Sequence, residues 1–413
     1  MMSQDNSILN LLEIKDPNIQ TSAVEDQVQD NLHFKEVSAI LTYQADKCPF
    51  CTSTQVVKNG TRPTTLKLPA VVQKPVHLGL RRQRYLCRAC HKTFSAETQI
   101  VQRGHSITRQ AEQVIHALAQ ESLPIKTISK ITGISASSIQ RILYKDKEAL
   151  VKPHQLPTAL SFDEFRSVKG QFSFICIDAK THELVALLSN RLTKTITEYF
   201  TNTYSLTERQ EVKLVTMDLN AQYQQFVHRI FPNAAIVFDR FHIVQLVGGI
   251  LDRERVKSLK SLADHRSRTY KALKHQWRLF HKDETELDGQ TVKYYPGLNE
   301  YTTAQNVVDI GLEAFPKFKE VYRVYQAVIH FVRQRDQVGL QALVMNYQPT
   351  HTEMDTAVRT ITKNYLGIQN ACSSEYSNGG IEGVNRKIKE LKRSCYGFRN
   401  IRHFFIRIKL IRA

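Results

Sequence analysis

The sequence predicts a multidomain α+β protein in which small metal-binding and helical elements precede a mixed sheet, and three observations carry that prediction. Two CxxC pairs stand near the start, at 48–51 and 87–90. Between residues 106 and 147 the apolar positions fall at helical spacing, and from residue 159 the spacing changes to that of strands. A long helical stretch then separates those strands from a strongly basic C-terminal segment.

Composition sets the frame. The chain of 413 residues has room for two or three domains, and 42% hydrophobic residues suits a packed core. No basic start leads into an apolar stretch, and no apolar run nears the ~18 residues of a membrane helix, so a cytoplasmic protein with no membrane partner is the simplest expectation. The seven cysteines suit metal binding in a reducing compartment better than a disulfide framework. Net charge is +18, yet residues 1–46 carry a net of −6, so the remainder carries +24. A polyanion is the expected partner, although charge that merely aids solubility looks the same at this level.

Residues 1–45, with Ile8, Leu9, Leu11 and Leu12 among acids, read as a leader of unknown role, either loose or a helix that docks on a partner. Residues 46–100 read as a zinc ribbon: Cys48, Cys51, Cys87 and Cys90 offer four thiolates in two tight loops, enough to close a tetrahedral Zn²⁺ site with no position left for water. Between the knuckles Arg81, Arg82 and Arg84 either grip phosphates or form a solvated face.

Residues 101–152 read as a helix-turn-helix, three helices broken at Pro124 and Gly133. Ile125, Ile128, Ile131, Ile134, Ile139, Ile142 and Leu143 form its expected core, and Ser135 is placed to cap the last helix. Outward-facing Ser137, Ser138, Gln140, Arg141 and Lys145 are the short polar and basic groups that reach base edges and phosphates in a major groove. A helical hairpin used only for packing remains the alternative.

Pro153 and Pro157 mark a linker, and residues 153–245 follow as βββαβαβα: strands at 159–165, 172–178, 184–188, 212–218 and 235–239, with helices between the later ones. A three-strand meander followed by helix-linked strands is the order of an RNase H-like sheet, with other α/β folds left open. Residues 246–372 read as a helical insertion, and 373–413 return to the same fold.

The chemistry falls on acids at strand ends. In ALSFDEF, Leu160 and Phe162 alternate with Ser161 and Asp163, so the Asp163 carboxylate leaves the face opposite the apolar pair; Asp218 ends VKLVTMD. Groups at the ends of neighbouring parallel strands converge on one crevice. Glu382 lies in the first turn of a helix started by Asn378, Gly379 and Gly380. Oxygen ligands favour two Mg²⁺ or Mn²⁺ ions, the arrangement that supports phosphoryl transfer. Taken singly, each acid is equally an ordinary cap or surface charge. The helix after Glu382 carries Arg386, Lys387, Lys389, Lys392 and Arg393, and the tail adds Arg399, Arg402, Arg407, Lys409 and Arg412, a basic set suited to a DNA backbone.

SFDEF at 161–165, the spacing from Asp218 to Tyr223, VFDRFHIV at 237–244 and above all SNGGIEGVNRKIKELKRSCYGFRN at 377–400 resemble the ISL-three family of transposases, over nearly the whole chain. The resemblance implies an N-terminal zinc ribbon and helix-turn-helix that recognise the terminal inverted repeats of an insertion sequence. It implies an RNase H-like α/β catalytic domain with a large all-helical insertion, in which Asp163, Asp218 and Glu382 are the catalytic triad. Cleavage and strand transfer on double-stranded DNA, at transposon ends and target, and a homodimer or larger assembly follow from it. Related families place a D-x-x-H motif beside the active site, where this chain has Asp239 and His242; otherwise Asp239 caps its helix and His242 packs in the first turn. Trp277 is either an aromatic of the insertion that stacks on a flipped base or a core residue. Two other classes stay open on the residues alone: a DNA-binding regulator, and a recombinase with a covalent Ser or Tyr, for which no nucleophile motif stands out.

Overall fold

In the computed structural model the described residues are 4–29, 32–72, 74–145, 155–219 and 223–411. Pro153 of the linker, Arg412 of the tail and residues 220–222 between Asp218 and Tyr223 lie outside them. The chain forms two compact units, Met1–Val151 with Lys387–Ala413, and Lys152–Arg386.

The first unit is built on a sheet with strands β1 (Ile19–Gln29), β2 (Leu32–Leu41), β3 (Val56–Val71), β4 (Lys74–Cys87) and β5 (Thr93–Ser95), preceded by a helix Gln4–Leu11. Strand order is β1-β2-β4-β3, with β5 on β4. Of the two expectations for residues 1–45, the loose leader does not hold where the segment is described: Ile8, Leu9 and Leu11 lie on the helix Gln4–Leu11, β1 pairs antiparallel with β2, and β2 runs parallel to β4. Val37, Ala39 and Leu41 alternate into the core formed by Leu66, Leu68, Val76, Leu78 and Leu80. Burying each such aliphatic side chain is worth ~1.5–3 kcal/mol, which ties the segment to the ribbon. Its sequence hid this because Val24 and Val28 on β1 point to solvent and acids fill the gaps.

Three helices follow in the same unit, Arg109–Gln120, Ile125–Thr132 and Ala136–Tyr144. The breaks stand where expected. Gly133 adopts φ 68, and a Cβ there would meet Pro75 Cγ at 2.5 Å, so the turn needs glycine both for its backbone and for its close neighbour. The Ser135 side chain accepts from the Ser138 amide. Ile128, Ile134, Ile139 and Leu143 are buried, but Ile131 is 40% exposed and leaves the expected core. The helix has only two turns, and Thr132, whose hydroxyl bonds the Ile128 carbonyl at 2.8 Å, takes the last inward position. The C-terminal helix Ile401–Leu410 packs on the first and last of the three. Arg407, expected among the DNA-holding bases, is 1% exposed and donates to the Ala119 and Leu123 carbonyls at 3.2 and 2.8 Å, closing the end of the first of these helices. Residues from Lys387 onward accordingly group with this unit and not with the second sheet.

The second unit carries β6 (Ala159–Arg166), β7 (Phe172–Asp178), β8 (Leu184–Leu188), β9 (Leu214–Met217) and β10 (Ala235–Phe238) in the order β10-β9-β6-β7-β8. β6, β7 and β8 form an antiparallel meander, while β9 and β10 run parallel to β6. This is the RNase H-like strand order. Helices Thr193–Thr203, Leu206–Gln210 and Gln224–Ile230 link the later strands. Phe162, Phe174, Phe200, Phe226 and Phe231 meet beneath the sheet at centroid separations of 4.9–6.2 Å where they pair.

Helix Arg240–Ser261 leaves β10 and packs on Pro316–Gln334, whose buried Phe318, Val321, Tyr325, Val328 and Val332 recur at spacings of three and four. The insertion is helical apart from a short hairpin, Lys293–Tyr295 with Glu300–Thr302, that the sequence did not announce. Among the described residues no helix is long and apolar enough to cross a membrane.

Candidate active site

Strand register brings the acids together. Ser161 stands opposite Thr216 on β9, so two residues further Asp163 draws level with Asp218. Phe238 stands opposite Met217, so one residue further Asp239 is level with Asp218 on the other side. Three carboxylates thus stand level across three adjacent parallel strands, Asp163 within β6 and Asp218 and Asp239 one residue past the ends of β9 and β10. The apolar neighbours Leu160, Phe162, Val215, Met217 and Phe238 point into the core on the reverse face and fix which way the acids face.

Helix Gly379–Ser394 supplies the facing side. Asn378, Glu382 and Asn385 recur at intervals of four and three, on one helix face. Asn378, fully buried, donates from Nδ2 to Asp218 Oδ1 at 2.9 Å, and its Oδ1 accepts from the Thr216 hydroxyl at 2.7 Å. One turn beyond Glu382, Asn385 donates from Nδ2 to Asp163 Oδ2 at 2.5 Å. Exposed Glu382 is thereby held between two asparagines that grip the two strand-end acids. The helix comes this close at Gly380, where a Cβ would lie 2.4 Å from the His182 ring.

His242, in the first turn after β10, places Nε2 3.0 Å from Asp218 Oδ1. Asp239 accepts the Phe241 amide at 3.1 Å and so caps the 22-residue helix Arg240–Ser261. Asp239 therefore caps as the bland alternative had it, but His242 does more than pack in the first turn. Single ligand atoms of Asp218, Asp239 and His242 lie within 4.8 Å of one another, a group that neither Asp163 nor Glu382 joins at that range. Asp178 lies elsewhere, holding its own turn through Lys180 and Thr181.

Electrostatics follow from crowding. Burial pushes the Asp163 carboxyl up to about 7; the Glu164 amide at 2.7 Å pulls the other way, and the charge of Asp218 adds to the rise. Burial likewise raises Asp239. His242 is raised mainly by its bond to Asp218, with the charges of Asp239 and Glu382 contributing. Like charges gathered in a partly buried crevice are poorly balanced by the protein alone, and a divalent cation is the natural complement. The donor set fits one: carboxylate oxygens with one imidazole nitrogen within reach.

A group built on Glu164, an acid ranked below the chosen three, and on Arg191, which sequence reasoning missed, supports the row from behind. Glu164 pairs with the Arg191 guanidinium and accepts the Tyr223 hydroxyl at 3.2 Å, while Arg191 lies 4.5 Å over the Phe172 ring. Asn385 was missed as well; its spacing from Glu382 on a helix is the only signal that pointed to it.

The four cysteines meet as expected. Their Sγ atoms lie within 4.8 Å of one another, with Cys48 to Cys90 and Cys51 to Cys87 both 3.6 Å apart. A tetrahedral site with ~2.3 Å Zn–S bonds has S···S edges of about 3.8 Å, so the set fits zinc. Each knuckle closes the same way: Thr52 and His91 adopt φ 60 and 57 and donate to the carbonyls of Cys48 and Cys87 at 2.9 Å. Amides of Cys90 and Ala89 pull the Cys87 thiol down to about 6, toward the thiolate a metal needs.

Of the expected DNA contacts, Ser137, Gln140, Arg141 and Lys145 are exposed on or just after the last helix of the trio, while Ser138 is half-buried against the Ser135 hydroxyl at 3.0 Å. Arg81 is exposed, and Arg82 and Arg84 are half-buried. Arg386, Lys387, Lys389 and Arg393 are exposed, and Lys392 is half-buried. Trp277 is 39% exposed, beside Arg278 and edge-on to His281, so the core placement does not hold.

Comparison with known proteins agrees with this layout. A family profile described as transposase, of the ISL3 group, matches residues 160–408. The zinc-finger of transposase IS204/IS1001/IS1096/IS1165 matches residues 44–90, and the helix-turn-helix domain of transposase family ISL3 matches 96–145. The transposase for insertion sequence element IS1001 of Bordetella parapertussis is 24% identical over 349 residues, 81% of this chain and 80% of that protein. An ATP-dependent protease of Lactococcus lactis subsp. lactis is 36% identical over 110 residues, 27% of this chain and 36% of that protein. The chain thus spans about a third of the length of one relative and four fifths of the other. It contains no Gly-Lys pair of the kind a phosphate-cradling nucleotide loop requires.

Proposed function

The chain belongs to the ISL3 family of transposases, and from that membership we propose that it binds the terminal inverted repeats of an insertion sequence, cuts there and joins the freed end to target DNA. Asp163, Asp218 and Glu382 are the residues we assign to the chemistry, with Asp239 and His242 in support. The observation that carries this reading is the level row of carboxylates on adjacent parallel strands, faced by Glu382 between its two asparagines.

A pair of divalent ions, Mg²⁺ or Mn²⁺, held by these acids would supply activation of the attacking oxygen and charge neutralisation at the leaving one. The protein's own contributions are positional. Asn378 fixes Oδ1 of Asp218, while Asp163 is held at both oxygens, Oδ2 by Asn385 and Oδ1 by the Glu164 amide. His242 orients Asp218 through its Nε2 and balances its charge. Glu382, exposed and on the first helical turn, is free to swing onto a ligand. Arg386, Lys389 and Arg393 on the same helix are suited to hold the scissile backbone. The zinc site keeps the ribbon folded, and the ribbon with the helix-turn-helix selects the DNA end. Joining two ends calls for a dimer or larger assembly on DNA.

The test is cleavage and strand transfer of a duplex carrying the DNA that flanks the coding region, in Mg²⁺. Asp163→Asn, Asp218→Asn and Glu382→Gln retain binding and lose cleavage; full cleavage by any of them removes that residue from the assignment. A second assignment has Asp239 in place of Glu382, favoured by the tight Asp218, Asp239 and His242 grouping. Under it Asp239→Asn abolishes cleavage while Glu382→Gln keeps it.

A further inference from the structure

The segment that joins the two C-terminal helices, residues 395–400, has features that neither the carboxylate row nor the helix-turn-helix accounts for. Helix Gly379–Ser394 ends in a pair of bonds from the Gly397 amide to the Lys392 carbonyl at 2.8 Å and from the Tyr396 amide to the Arg393 carbonyl at 3.1 Å. This is the Schellman pattern, in which the left-handed position after the helix is normally glycine. Here that position is tyrosine, at φ 56, followed by Gly397 at φ 85. A bulky residue in this backbone region is strained. The ring so held is 94% exposed, the most exposed large hydrophobic side chain among the described residues. Strain and exposure are both costs to folding, and among the described residues the ring makes no hydrogen bond or ring contact that would offset them.

Its surroundings say what does. Tyr396 borders a cavity of about 480 Å³ lined also by Lys126, Gln140, Arg399, Asn400 and His403. Gln140 is an outward residue of the last helix of the trio, and Tyr144, one turn on, stacks on His403 at 3.8 Å with the rings 6° apart. Buried Arg407 anchors the helix after the loop to the Ala119 and Leu123 carbonyls. The loop is thus fixed to the helix-turn-helix within one folded unit, on the side where Gln140 is presented. The charged side chains that line the cavity with the tyrosine are Lys126, Arg399 and Arg407, and among the described residues no acid lines it. An aromatic face set among cations is the recognition chemistry of nucleic acid, which offers a base face and phosphates together.

We propose that residues 395–400 form a second DNA-reading element of the helix-turn-helix, in which Tyr396 stacks on a nucleobase and Arg399 holds a phosphate of the same DNA that Gln140 contacts. The inference rests on the transposon-end reading above and adds a contact to it. DNA is favoured over a protein partner because the charged side chains lining the cavity are all cations, which match phosphates, and they stand beside an exposed ring that matches a base face.

Binding of the full-length chain is measured by fluorescence anisotropy across a salt series, on a 60-base-pair duplex from the DNA flanking the coding region and on a scrambled duplex. Tyr396→Gly relaxes the left-handed backbone, so its melting temperature equals or exceeds that of the parent, yet its affinity for flanking DNA falls roughly 5- to 100-fold with the salt slope unchanged. Arg399→Ala lowers affinity and reduces the salt slope by about one. Tyr396→Phe, which keeps the ring, binds as the parent does. If the parent binds the flanking duplex and both Tyr396→Gly and Arg399→Ala bind it equally well, the inference is overturned while the transposase reading stands. If the parent shows no preference for flanking over scrambled duplex, the end-binding reading itself fails and takes this one with it. Equal loss for Tyr396→Gly and Tyr396→Phe points to a hydroxyl contact and overturns the stacking role.

Discussion

Replacing Asp163 by asparagine is expected to abolish cleavage and, in the absence of metal, to make the protein more stable. Burial holds the carboxyl at about 7 against an ordinary value of 3.8. A folded-state value above the unfolded one means that the group favours folding only while protonated: its contribution is complete below about pH 4 and is lost as pH rises through 7. The full shift corresponds to about 4 kcal/mol of penalty above pH 7. Asparagine removes that penalty but keeps one acceptor where aspartate has two, and Asp163 now accepts from both the Glu164 amide and Asn385. Losing one such bond costs ~1–3 kcal/mol. Asn385 softens the loss, because its buried Oδ1 has no partner and the amide can turn to accept from the new Nδ2. The net gain is therefore ~1–3 kcal/mol at pH 8 and close to zero or negative at pH 4.5.

The assay is denaturant unfolding of the second unit's signal in EDTA at both pH values, for parent and variant, and again in Mg²⁺. Metal restores the parent by roughly 2.7 kcal/mol at a hundredfold excess over its dissociation constant and leaves the variant unmoved. Cleavage falls at least ~100-fold, since loss of a residue merely supporting a metal ligand already costs 10- to 100-fold. A variant that is equally destabilised at both pH values would refute the argument that burial and like charge, and not a lost contact, set the energy of this site.

Removing zinc with a chelator, or Cys87→Ser, is expected to unfold the ribbon and abolish DNA binding while the second unit keeps its unfolding transition; circular dichroism with anisotropy checks both. Gly133→Val places a branched side chain against Pro75 in a left-handed backbone, and costs ~2–4 kcal/mol of first-unit stability in denaturant melts. Arg407→Met removes the side-chain donor to the Ala119 and Leu123 carbonyls; a loss of ~1–3 kcal/mol with unchanged cleavage per bound complex separates this arginine from the DNA-holding bases.

Where a segment's pattern was uninterrupted, the chain could be read directly. β6 follows the alternation of Leu160 and Phe162 with Ser161 and Asp163 and runs one residue past its expected end, β7 and β8 are short, mostly apolar runs that end where expected, and the helix breaks at Pro124 and Gly133 follow from backbone chemistry alone. The strands over residues 19–41 escaped because β1 lies at a sheet edge and is wet on one side, so its apolar residues do not alternate. Arg407 looked like one base among ten, since burial by a helix almost three hundred residues earlier in the chain leaves no local mark. Within the site the acids were legible from strand alternation at Asp163, the strand end at Asp218 and the helical first turn at Glu382. Asn385 was not, because its partner Asp163 is 222 residues away and only the folded helix aligns them.

Asp239 has to satisfy two masters at once, the amide that opens a 22-residue helix and the acid row at the strand ends. Asparagine or serine would preserve the helix and discard the charge, whereas glutamate would preserve the charge on an arm too long to reach back to its own backbone. A survey of natural or engineered variants at this position should therefore find a narrower range of survivors than at Glu382, where a flexible arm on an exposed first turn has only one duty to discharge.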